Sequence, residues 1–199
     1  MNAVRKKRMQ TVLKYTWPVY LVLTAVIILL LNFIFVMTHQ TPAYKSLTLF
    51  VSGEVTDTKK LRSDLLEKYQ DKELKTVSII SAKPNEGHYY TKLSVPGYNS
   101  ADILIIPESV LDNLKVDTFG LEINQELKDT YYSGLTTYQQ ENIAYGIKLN
   151  KEKVKEYMAF TNEDHYMILN ARSENIGSYS TKQIKERDNA LNLVKEWGM

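Results

Sequence analysis

Apolar positions along this chain fall into three patterns, and each predicts a different kind of element. The first is an unbroken block: residues 16–37 read TWPVYLVLTAVIILLLNFIFVM, without one acid or base. About 20 such residues in a helix cross a hydrocarbon core of ~30 Å, so the block predicts a transmembrane helix over 16–37. The second pattern is alternation, or a short apolar run between turn residues, which predicts strands. KSLTLFVS (45–52) puts Leu47, Leu49 and Val51 on one face, and KTVSIISA (75–82) and residues 101–106 follow. The run Ile103, Leu104, Ile105, Ile106 does not alternate, as expected of a strand covered on both faces in a parallel sheet under helices.

The third pattern is helical spacing between those strands. Thr56 or Asp57 can cap a helix running to about Tyr69, with Leu61, Leu65 and Tyr69 as its stripe. His88 to Leu93 predicts a short helix ended by Pro96-Gly97. Pro107 suits the first turn of a helix that Val110, Leu111 and Leu114 pack down. Residues 119–140 read as helix and loop, and 142–149 and 166–169 as two more strands. Ser180 and Gln183 have capping-box spacing and open a helix with Ile184, Leu191 and Val194 on one side and Trp197 closing that face. The fold class is α/β: one N-terminal transmembrane helix, then a single α/β domain with a mainly parallel sheet. The divisions are a basic tail (1–15), the transmembrane helix (16–37), a short linker (38–44) and the α/β domain (45–199).

Charge sharpens the membrane reading. Arg5, Lys6, Lys7, Arg8 and Lys14 precede the apolar block, and no acid does. Positive flanks stay cytoplasmic, so the expected localisation is the cell membrane, single-pass, with the N-terminus inside and the C-terminal domain outside. A cleaved signal peptide would have a shorter apolar region and a small-residue cleavage site; here the block is longer and ends in Phe35, Val36, Met37. Beyond the tail, the other 20 bases face 23 acids, a net −3. A weakly acidic body argues against nucleic acid as a partner. With no cysteine, a thiol nucleophile, a Cys-based metal site and a lipid-modified cysteine are all excluded.

In open α/β sheets, ligands lie beyond the C-terminal ends of the strands. Three such ends stand out: Ser52-Gly53-Glu54, Ser81-Ala82-Lys83 and Pro107-Glu108-Ser109. Their hydroxyls, backbone amides and helix starts can hold polar or anionic ligands, although the same residue types are ordinary helix caps. The ligand-binding candidates are Ser52, Gly53, Glu54, Pro107, Glu108 and Ser109. No catalytic residue, metal set or cofactor is assigned: Ser52-Gly53 and Ser133-Gly134 lack a nucleophile elbow. Glu86–His88 and Asp164–His165 lack metal-ligand spacing, and both histidines read as surface residues. Twelve of the 14 tyrosines lie from Tyr44 onward, enough for a contact surface or for ordinary half-buried packing.

The succession LTLFVSGEV, a helix, KTVSIISA, HYYTKLSVPGYNSADILIIPES and NIAYGIKLN resembles the first lobe of bacterial extracellular solute-binding proteins of ABC transporters. Asp102 matches the start of a Pro-Asp or Ala-Asp strand in that family. Tyr145-Gly146-Ile147 matches a later Tyr-Gly-Ile-Pro-like strand, which adds Tyr145 to the ligand candidates. Lys148 stands where the family has Pro, and 155 residues are too few for the two lobes that close on a solute. The resemblance covers 45–150 and implies one lobe of a periplasmic-binding-protein fold. It implies a membrane-anchored binding or accessory module contacting the lipid bilayer through 16–37, and a transporter, envelope protein or small polar solute. An envelope hydrolase with an unrecognised site and a structural oligomerising subunit are the alternatives.

Overall fold

The computed structural model describes residues 3–39, 41–179 and 187–199. The chain divides into two compact units, Met1–Gln40 and Thr41–Met199. In the first, helix α1 covers Ala3–His39, so the basic segment is continuous with the apolar one. Its segment Thr16–Met37 has a mean hydropathy of 2.8 and no buried residue, and is long and apolar enough to cross a membrane. The Thr16 hydroxyl donates to the Val12 carbonyl at 2.6 Å and the Thr24 hydroxyl to that of Tyr20 at 2.8 Å. Neither is left unpaired, as an apolar surrounding requires.

The second unit is built on a six-stranded sheet. Strand β1 (Ser46–Ser52) leads through a short β2 (Glu54–Val55) into helix α2 (Thr58–Lys68). The Asp57 carboxylate accepts the Lys60 N–H at 2.9 Å, a cap worth ~1 kcal/mol. Leu61 and Leu65, one turn apart, are the residues α2 buries. Strand β3 (Thr76–Ala82) returns parallel to β1, from Ser46↔Thr76 to Ser52↔Ala82. A helical run follows, made of α3 (Tyr89–Lys92), a π-helical turn (Leu93–Gly97) and α4 (Tyr98–Ser100). It feeds β4 (Ile103–Pro107), parallel to β1 on the other side. The three strands read from β-α-β spacing are thus parallel neighbours.

The remainder runs α5 (Glu108–Leu111), α6 (Gln125–Tyr131), β5 (Thr137–Gln140), β6 (Ile143–Lys148), α7 (Lys151–Val154), β7 (Met158–Ala159), β8 (His165–Leu169) and α8 (Asn189–Gly198). The sheet order is β3-β1-β4-β8-β6-β5, and β7 pairs with β2 apart from it. One face carries Leu47, Leu49, Val51, Ile103, Ile105 and Met167 against Leu61 and Leu65 of α2, Leu127 of α6, and Leu191, Val194 and Trp197 of α8. The other carries Phe50, Leu104, Ile106 and Ile168 against Tyr89, Leu93, Val110 and Leu111. The non-alternating run 103–106 is buried throughout because both faces are covered.

Several expectations need correction. The sheet is parallel across β3–β1–β4 but mixed overall, since β8 is antiparallel to both β4 and β6. The cause is connectivity: the chain leaves β7 and turns into β8 beside the end of β4, with His165 opposite Pro107. Pro96-Gly97 does not end the helix at Leu93. Both lie inside the π-helical turn, where Pro96, which has no N–H to give, is accommodated by a wider turn. Pro107 closes the strand and caps α5 with extended backbone (ψ 150°) instead of joining its first turn. Region 119–140 contains β5 as well as α6. The capping pair Ser180 and Gln183, and Ile184, lie outside the described residues; Leu191, Val194 and Trp197 are buried in α8 as the stripe requires.

Candidate binding cleft at the ends of the parallel strands

Because β1, β3 and β4 run together, their last residues Ser52, Ala82 and Pro107 reach one rim. The antiparallel β8 starts there with His165. A cleft of about 440 Å³ opens at this rim, between Ser52-Gly53-Glu54, Lys83-Pro84-Asn85 and the segment carrying Ala159, Phe160, Thr161 and Glu163. The β2–β7 pairing, Glu54 opposite Ala159, holds that segment against β1. The approach favours Gly53. A Cβ there would lie 3.0 Å from the Ala159 carbonyl oxygen and 3.0 Å from the Phe160 ring, so that one of them would have to shift by a few tenths of an ångström to relieve the contact.

Two charged arrangements border the cleft. Lys83 Nζ lies 2.6 Å from a Glu54 carboxylate oxygen, and that hydrogen bond lowers the Glu54 pKa and raises that of Lys83. The Glu163 carboxylate is held below its ordinary range, first by a hydrogen bond from Ser109 and also by one from Thr161; the Thr161 bond measures 3.1 Å. Behind the loop, Lys151 Nζ donates to the Thr161 carbonyl at 2.6 Å and to that of Glu163.

His165 is 1% exposed and forms the back of the Phe160 wall. Its Nδ1 lies 2.9 Å from the Glu163 carbonyl. A carbonyl only accepts, so Nδ1 carries the proton, and Nε2 is buried without a hydrogen-bond partner. Burial lowers the His165 pKa; the Lys151 charge acts in the same direction, while the carbonyls of Glu163 and Ser52 oppose it. The surface reading of this histidine is therefore overturned: its sequence neighbours are polar, but Phe160 and the sheet enclose the ring. His88 is exposed as expected. Asp164 pairs with Lys148 at 2.5 Å and Glu86 with Lys92 at 3.6 Å, which takes both carboxylates away from acid–histidine pairing.

Ser52, Gly53 and Glu54 line the cleft, although the Ser52 hydroxyl is buried and hydrogen-bonded to that of Tyr89. Burial pushes the Tyr89 phenol up to about 12, so this pair stays protonated. Pro107, Glu108 and Ser109 are not in the lining. Pro107 is buried, Glu108 is exposed and gives its N–H to the Asp164 carbonyl at 3.0 Å, and Ser109 acts through Glu163. Tyr145 lies apart from the cleft, beside a cavity of about 240 Å³ with Lys115, Asp117 and Gln140. Phe160 and Glu163 are among the cleft residues that sequence reasoning missed, together with Pro84, Asn85, Ala159 and Thr161. For Phe160 and Glu163 the one signal is a lone aromatic in the polar stretch between two strands. No family model matches this chain, and no curated protein matches it significantly.

Proposed function

We propose that the protein is a membrane-anchored extracytoplasmic binding module, similar to one lobe of a solute-binding protein, that takes a small polar ligand in the rim cleft. The observation that carries this reading is the cleft itself, lined by the residues that follow two of the parallel strands, β1 and β3, the place at which α/β sheets hold ligands. Binding is favoured over hydrolysis by the state of the nearest reactive groups. The Ser52 hydroxyl is engaged by Tyr89, and His165 Nε2 is buried, so neither reaches a substrate as nucleophile or base. Anchoring through 16–37, with the domain outside, follows from the length of the apolar segment and the bases that precede it.

The test is purification of the full chain from membranes in mild detergent, then denaturation and mass spectrometry of what is released. A small molecule recovered from the wild type and lost in Phe160→Ala, with the fold retained, supports the reading. Recovery from both, or from neither, opposes it. Protease added to spheroplasts should digest the 45–199 region and spare the N-terminus; a protected domain would overturn the orientation.

A further inference from the structure

Donors and acceptors around the cleft are unequally engaged. The Gly53 amide gives its hydrogen to the Ala82 carbonyl at 3.1 Å, and the Glu108 amide to that of Asp164 at 3.0 Å. The Ser52 hydroxyl is taken by Tyr89. The Lys83 ammonium faces Glu54 at 2.6 Å, and the Lys151 ammonium turns under the loop to two carbonyls. Most of the rim donors that would receive an anion are thus already engaged within the protein, the exposed Asn85 side chain being the lining residue that can still donate. Helix starts do not replace them, because α3 and α5 are four residues each and such short helices develop little dipole.

The acceptor side differs. Glu163 borders the cleft and receives hydrogen bonds from the Ser109 hydroxyl, the Ser109 backbone N–H and the Thr161 hydroxyl. Among the described residues, no lysine or arginine pairs with it. A carboxylate has about four lone-pair positions, so it retains capacity for further donors. Its charge is the uncompensated one in the lining, since Glu54 and Lys83 cancel. Phe160 supplies an apolar wall beside it, and an aromatic ring tolerates a cation better than an anion at its face.

We propose that the cleft takes a small organic cation, an ammonium group on a short apolar body, with Glu163 as its counter-ion and Phe160 as the wall for the body. This rests on the cleft being a ligand site at all. The two ideas separate in one titration series on the full chain in detergent, near neutral pH, with three four-carbon probes: putrescine (dication), succinate (dianion) and erythritol (neutral).

Putrescine should bind saturably and at least about tenfold more tightly than the other two, the scale of a charge-assisted hydrogen bond. Glu163→Gln should remove most of that preference with the fold retained, although the melting temperature should fall slightly because the Ser109 and Thr161 donors lose a charged acceptor. Glu54→Gln, which frees Lys83, is a second variant outside the loop; it should weaken putrescine and strengthen succinate. Succinate or erythritol binding as tightly as putrescine overturns the cation assignment and leaves the cleft a solute site. So does putrescine binding that is indifferent to both variants. No binding of any probe overturns the solute site and the cation assignment together.

Discussion

The imidazole of His165 packs against the ring of Phe160, 4.7 Å between centroids and with the planes 57° apart. One ring is buried and the other lines the cleft, so the imidazole is the packing support of the cleft wall. Burial keeps the His165 pKa below its ordinary value of about 6.5. The unfolded chain therefore takes up a proton as pH falls through that value while the folded chain does not.

Stability should consequently be full above about pH 6.5 and decline as pH drops toward the lowered folded value. Glu163, whose pKa is also lowered, works in a separate and more acidic window. Its contribution is lost only as pH falls through its own folded pKa. Thermal melts of the full chain at about pH 7.5 and pH 5.5 should show the lower melting temperature at the lower pH. His165→Phe should flatten that difference. A slope unchanged by the substitution would show that another group titrates in this window.

Gly53→Ala places a methyl group against the Ala159 carbonyl and the Phe160 ring. The ring can tilt, but the carbonyl is fixed by the β2–β7 pairing. We expect a loss of about 1–3 kcal/mol, the range for overpacking, together with altered ligand retention in the cleft. Denaturant unfolding measures the first and ligand recovery the second. A variant as stable as wild type, with retention intact, would mean that β7 gives way easily and that the cleft wall is soft.

Asp102, matched in the sequence to a strand start, is a structural carboxylate. It accepts the Thr48 N–H at 2.7 Å, the Ser173 hydroxyl at 2.5 Å and the Asn175 amide at 3.2 Å, tying β1 and β4 to the segment after β8. Desolvation raises its pKa, against those three hydrogen bonds. Asp102→Ala leaves all three donors without this acceptor and should cost about 2–4 kcal/mol. Asp102→Asn keeps one acceptor oxygen but turns an amide toward donors, and should cost less. Equilibrium unfolding in urea ranks the two; equal stability of Asp102→Ala and wild type would remove Asp102 from the framework.

Ser109 and Glu108 are sequence neighbours with different roles. The Ser109 hydrogen bond is the largest cause of the low Glu163 pKa, whereas Glu108 is exposed. A carboxyl-carbon NMR titration should show the Glu163 midpoint rising in Ser109→Ala and staying in place in Glu108→Gln. Movement in the second variant alone would reverse the assignment.

The parallel half of the sheet was legible because each of its strands is an apolar run with a capped helix or a turn between them. The spacing Leu61–Leu65 and the run 103–106 carry their burial in the sequence itself. Strand β5 was not legible: TYQQ is an edge strand in which Tyr138 alone is buried, so it shows no periodicity. The direction of β8 depends on a loop crossing the rim, which no local pattern encodes. Of the site, Ser52 to Glu54 were legible as a strand end. Glu163 and Phe160 were not, because they come to the rim through the β2–β7 pairing, a contact between residues about a hundred positions apart.

The position of β8 sets the order in which this domain can assemble. Among the described residues it is the last strand, and yet it sits in the middle of the sheet, between β4 and β6. Until His165–Leu169 has left the ribosome, the β3–β1–β4 half and the β5–β6 hairpin have no strand to join them, and each presents an open edge. At synthesis rates of roughly 5–20 residues per second, the gap between completing β4 and completing β8 lasts seconds. During that time, β4, with apolar side chains on both faces, is the surface most exposed to pairing with a wrong chain. A nascent chain stalled before residue 165 should therefore require a chaperone to stay soluble, whereas one carrying β8 can close its own sheet.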